Sequence, residues 1–124
     1  MLSYTITGSP IVKKNTQKVI RRGGRTFVVY SAQYNAWLSN AMQELALQKR
    51  PAQPIDYPVL LVCKFFMQTK RLVDLSALYE GIQDTLVKME ILEDDNFNIV
   101  AGHDGSRVLL DRERPRIEIA IVKL

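Results

Sequence analysis

Pro58-Val-Leu-Leu-Val-Cys63-Lys-Phe-Phe-Met67 carries a single charge, Lys64, in an otherwise apolar run of strand length. A strand buried inside a sheet has this composition because neither side of its pleat is given over to water. The segment therefore predicts a strand at the centre of a sheet. On its C-terminal side, Gln68-Thr69-Lys70-Arg71 leads out toward a helix that starts at or near Asp74, a natural cap, and runs to about Met89. Leu75, Leu78, Ile82, Leu86 and Met89 recur at helical spacing and form its buried face, with Ser76, Glu80, Gln83 and Asp84 opposite. Gly81 costs that helix about 1 kcal/mol relative to alanine, which suggests a close approach by another backbone.

Beyond the helix, Glu93-Asp94-Asp95-Asn96 is a polar turn, and strands are expected over residues 98–110 and 116–123. Gly102 and Gly105 interrupt the first of these. A bulge within one strand is the preferred reading; two shorter strands around Asp104-Gly105 is the alternative.

On the N-terminal side, Ser31 caps a helix running to about Lys49, with Tyr34, Trp37, Leu38, Ala41, Met42 and Leu45 on one face. Pro51 and Pro54 end it. Gly23-Gly24 lies between two stretches rich in β-branched and aromatic residues, 17–21 and 26–30, which is a hairpin signal. Residues 2–7 read as a short first strand, broken by Gly8-Ser9-Pro10. The fold class is α/β (α+β): a mixed sheet with two main helices packed on it and a basic N-terminal hairpin.

The 124 residues make one domain, 1–124, with 47% hydrophobic and 24% charged residues, ordinary for a folded globular protein. Nothing approaches the ~18 apolar residues of a membrane span, and the N-terminus lacks the pattern of a signal peptide. Cys63 is the lone cysteine and lies in the apolar strand, so no disulfide framework or thiolate cluster is expected and a reducing cytoplasm fits.

The net charge of +4 is unevenly spread. Residues 1–50 hold eight Lys/Arg and one acid, a balance of +7; residues 51–124 hold nine and twelve, a balance of −3. The first half concentrates Lys13, Lys14, Lys18, Arg21, Arg22 and Arg25 with no acid among them, while seven carboxylates crowd residues 74–95. A protein that grips a polyanion and also binds cations needs such segregation. A solvated acidic helix beside an unrelated basic loop gives the same pattern.

Dinucleotide, phosphate-loop and serine-elbow motifs are absent, and the single histidine, His103, excludes a multi-histidine zinc site. Carboxylates remain, hard ligands suited to Mg²⁺ or Mn²⁺. Asp74 opens the second helix; Asp94 and Asp95 lie past its far end. A helix of that length spans about 22 Å, so these acids meet only if the following chain returns beside the helix start or a second subunit contributes. Aspartate at a cap and Asp-Asp-Asn in a turn are also common without any catalytic role.

Lys70-Arg71-Leu-Val-Asp74-Leu-Ser-Ala-Leu-Tyr-Glu80-Gly-Ile-Gln-Asp84-Thr-Leu, followed by Leu92-Glu-Asp94-Asp95-Asn96, resembles the signature of RusA-type Holliday-junction resolvases. That signature is a basic step, Asp-Leu-Asp-Asn-Leu, a lysine two residues on, a helical Asp-Ala-Leu and a later Leu-x-Asp-Asp. Gly8-Ser-Pro-Ile-Val-Lys-Lys-Asn15 is similar to the family's N-terminal segment. The resemblance covers most of the chain. It implies a Mg²⁺-dependent endodeoxyribonuclease, with Mn²⁺ a substitute, that cuts four-way DNA junctions in recombination and repair. It also implies a homodimer without small-molecule cofactor or membrane, in the cytoplasm of a bacterium or phage-infected cell.

By position, Asp74 and Asp95 match metal ligands of the family, and Asp84 matches a helical aspartate with a structural role. Ser76 stands where the family has a second metal-binding aspartate, Ala77 where it has asparagine, and Glu80 where it has lysine. Ser76 and Glu80 are four residues apart on one helix face, so Glu80 can restore the missing carboxylate. The candidate metal set is thus Asp74, Glu80, Asp94 and Asp95, with Asp74, Glu80 and Asp95 catalytic. Lys70 and Arg71 join the six basic residues of the N-terminal region as candidate DNA contacts. Two rivals stay open: a branched-DNA-binding protein that has lost its chemistry, and a metal nuclease with broader flap or branch specificity. His103 and Arg107 can assist at phosphate in any of these, although a lone histidine among glycines equally suits an exposed loop.

Overall fold

The computed structural model describes residues 1–12 and 17–124, with residues 17–20 and 27–30 described by backbone alone. Nine elements follow in order: β1 (Leu2–Thr7), β2 (Gln17–Arg22), β3 (Arg25–Tyr30), α1 (Ala32–Ala46), β4 (Val59–Met67), α2 (Leu75–Lys88), β5 (Val100–Gly102), β6 (Arg107–Leu110) and β7 (Arg116–Lys123). The main sheet is mixed. β7 lies antiparallel between β1 and β4, and β4 pairs in parallel with both β5 and β6 along its other edge. A parallel pair needs a long crossover, and α2 supplies it between β4 and β5. The expected mixed sheet with two helices is what the chain forms.

Alternation explains which face the helices cover. Val59, Leu61, Cys63 and Phe65 of β4, Ile117, Ile119 and Ile121 of β7, and Tyr4 and Ile6 of β1 are buried on one side. There they join Tyr34, Trp37, Ala41 and Leu45 of α1 and Leu78, Ile82 and Leu86 of α2 in a single core. The opposite face of β4 is only partly covered, so Pro58–Met67 is a half-buried strand and not one enclosed on both sides.

α1 begins as expected, Ser31 accepting a 3.1 Å bond from the Tyr34 amide. Its C-terminal half also protects the sheet edge. Glu44 accepts from the Thr7 amide and hydroxyl, and the Gln48 side-chain amide both accepts from and donates to the Thr5 backbone. Edge strands left bare invite pairing with other chains; here Glu44 of α1 and Gln48 just past its end occupy that edge.

The single bulged strand expected over residues 98–110 is instead two strands, β5 and β6, both on the same edge of β4. β5 pairs with Val59 and Leu60, β6 with residues 64–67, and between them the Cys63 amide donates 3.0 Å to the hydroxyl of Ser106. A side chain thus fills the gap where backbone pairing stops. Gly105, at φ 93°, supplies the left-handed turn that this requires.

The β2–β3 hairpin forms a separate two-stranded sheet around Gly23 and Gly24, at φ 55° and 74°. Positive φ at both central residues is the demand of the tight hairpin turn read in the sequence.

Candidate functional site

Asp74 is the N-cap residue of α2, in extended conformation, and its carbonyl accepts the first helical bond, 3.2 Å from the Leu78 amide. Its carboxylate makes no capping hydrogen bond. An aspartate at this position ordinarily spends its side chain on the orphan amides of the first turn. Asp74 instead lines a cavity of about 440 Å³ together with Val12, Leu72, Val73, Ser76, Ala77 and Glu80. Lys70 and Arg71 are exposed just before it. Ser76 and Glu80, one helical turn apart, therefore do belong with Asp74.

Asp94 and Asp95 do not line this cavity. Asp94 braces the turn after α2: one oxygen accepts 2.7 Å from the Asp95 amide, the other 3.2 Å from the Asn96 side-chain amide. The Asp95 carboxyl is pushed above the usual aspartate value, first by partial desolvation, then by its hydrogen bond to Asp94 and the charges of Asp94 and Asp84. The charge of Asp84 that reaches it comes from a residue ten positions and about 15 Å of helix beyond Asp74.

Among the described residues no three His, Cys, Asp or Glu side chains gather closely enough to hold one metal ion. The four-carboxylate set of Asp74, Glu80, Asp94 and Asp95 is not assembled within the chain. Asp74 and Glu80 both line one cavity, and magnesium commonly takes one or two carboxylates, completing its shell with water and substrate phosphate. The donor set suits magnesium in that restricted form.

The basic candidates divide. Arg21, Arg22 and Arg25 are exposed at the hairpin tip. Lys13, Lys14 and the side chain of Lys18 lie outside the described residues. Arg107 is exposed and donates 3.1 Å to the Ser106 carbonyl.

His103 is exposed, but its support is buried. The Ser106 amide donates to the His103 carbonyl at 3.0 Å, closing the turn, and Ser106 is itself pinned to Cys63. The imidazole packs on the ring of Tyr79, centroids 5.2 Å apart, and the Tyr79 hydroxyl donates 2.7 Å to the Leu61 carbonyl. Burial holds the Tyr79 phenol and the Cys63 thiol well above their usual pKa values, so both keep their protons and Cys63 is no nucleophile. Ser76 lines a second cavity together with Tyr79, Gln83 and His103, so the two cavities meet at that residue.

No helix among the described residues is long and apolar enough to cross a membrane. No family model matches the chain, and no curated protein matches it.

Proposed function

We propose that the protein is a RusA-type endodeoxyribonuclease that hydrolyses phosphodiesters at four-way DNA junctions, as a homodimer in a bacterial or phage-infected cytoplasm. The observation that carries this reading is Asp74. Its carboxylate is not used as a cap, and the residue lines one cavity with Glu80, shortly after the exposed Lys70-Arg71 step.

In the reaction a water oxygen attacks phosphorus, the bond to the bridging oxygen breaks, and that oxygen leaves with a proton. Asp74 and Glu80 would hold Mg²⁺, which when bound lowers the pKa of water and offsets charge on the phosphorane-like transition state. Asp74 and Glu80 also present negative charge that orients the attacking water. Lys70 and Arg71, with the hairpin arginines, hold flanking phosphates and so position the DNA without reading its sequence. Junctions have near two-fold symmetry, and a C2 dimer presents two such sites for paired cuts.

A second reading, branched-DNA binding without cleavage, is favoured by the absence of a three-carboxylate group among the described residues. Incubating the purified protein and Mg²⁺ with an end-labelled junction and with a linear duplex of the same arms separates the two. Paired symmetric nicks in the junction alone support the nuclease. Retention of the junction in a gel shift without any nick supports the binder.

A further inference from the structure

The cavity on the far side of Ser76 has an occupant chemistry of its own. It measures about 380 Å³ and lies between α2 and β5. Leu75, Val100 and Ala101 give it apolar walls, Tyr79 and His103 an aromatic one, and Gln83 the amide. Flat apolar faces with a polar edge are what a nucleobase presents. The amide of Gln83 carries both donor and acceptor groups, as a base edge requires.

The cavity is built rather than incidental. Two residues of β4 hold its His103 wall: Leu61 through the Tyr79 hydroxyl and Cys63 through Ser106. A Cβ on Gly102 would come within 2.8 Å of the Leu60 side chain, so the cavity's inner edge sits directly on the strand. An exposed imidazole on an ordinary loop has no such anchoring.

We infer that this cavity receives one unpaired nucleobase of the junction, stacked on His103 and hydrogen-bonded by Gln83, adjacent to the phosphate at Asp74. The inference rests on the proposed junction reading, and Ser76 supplies the link, since it lines both cavities. Taking a base out of its stack costs free energy, and at the crossover each base has one strand exchange beside it in place of a continuous duplex arm.

The test is a cycle between protein and DNA, read as junction affinity by gel shift in magnesium-free buffer, with a parallel cleavage assay. The probes are a four-way junction and the same junction with single abasic sites placed in turn at the crossover nucleotides. One abasic position should weaken wild-type binding about tenfold, the range of a single base–aromatic stack. His103→Ala and Gln83→Ala should each weaken binding to the intact junction and cause no further weakening on that abasic one. Gln83 lies on the partly exposed side of α2, so its variant keeps the test valid if His103→Ala misfolds. Additive effects, or no sensitivity to any abasic position, would overturn the pocket. The predicted cycle in a protein that never nicks would overturn the nuclease reading and leave the pocket standing. A wild type without affinity for the junction would overturn both.

Discussion

The hydroxyl of Tyr79 donates a 2.7 Å hydrogen bond to the carbonyl of Leu61, fastening the middle of α2 to the centre of β4. Both residues are buried, so the carbonyl would find no water if the donor were removed. Tyr79→Phe should therefore lower stability by about 1–2 kcal/mol, read as a shift of the urea midpoint with unchanged slope. An unchanged midpoint would show that the bond contributes nothing.

Asp111 and Arg116 close the turn between β6 and β7. Asp111 accepts from the Glu113 and Arg114 amides and from Arg116, whose guanidinium also bonds Glu118 and lies 3.9 Å over the Phe66 ring. The Arg114 amide, then Arg116, hold the Asp111 carboxyl below its usual range. A depressed carboxylate adds stability above its unfolded pKa and loses it as pH falls through the folded value. Asp111→Asn should lower the thermal midpoint at neutral pH, and the gap from wild type should close in acid. A gap constant with pH would contradict this.

Asp95 has the opposite sign. Its folded pKa lies above the unfolded one, so the folded state binds the proton more tightly and stability falls as pH rises through that interval. Asp95→Asn should give a slightly higher thermal midpoint than wild type at pH 7, with the advantage gone below the carboxylate range. A lower midpoint at pH 7 would show that the Asp95 charge is stabilising.

Much of the architecture was legible because it depends on local patterning. β1 and β7 begin and end where alternation places them, Ser31 caps α1, and Gly23-Gly24 turns the hairpin. What was not legible depends on distant partners. Tyr79 and Thr85 fall beside the apolar stripe of α2 yet are buried. Tyr79 is satisfied by a carbonyl eighteen positions away, whereas Thr85 bonds back to the Gly81 carbonyl. The split between β5 and β6 rests on Ser106 meeting Cys63, forty-three positions apart. The site shows the same division. Helical spacing puts Ser76 beside Glu80, but that both share a cavity with Asp74, and that Asp95 does not line it, follows only from how the chain folds around the start of α2.

Arg21, Arg22 and Arg25 are exposed around the hairpin turn with Arg22 opposite Arg25 in the register, a pair of like charges whose repulsion a bound phosphate would relieve. Replacing all three with Gln should flatten the salt dependence of junction binding by about 0.9 in the log–log slope for every duplex phosphate that the arginines no longer neutralise. A slope identical to wild type would remove the hairpin from the DNA-binding surface.

The cavity at the start of α2 as the place of cleavage is tested most directly by Asp74→Asn. Asparagine keeps the size of the side chain and remains a good N-cap residue, so the helix start should persist. The measurement is single-turnover cleavage of a labelled four-way junction in Mg²⁺, beside the dissociation constant for the same junction without metal. The expected result is a cleavage rate lower by about 100-fold, because a lost ligand weakens the metal that activates the water, with affinity equal to wild type or tighter because one negative charge near the phosphates is gone. Cleavage at the wild-type rate by Asp74→Asn would contradict it and move the chemistry elsewhere in the molecule.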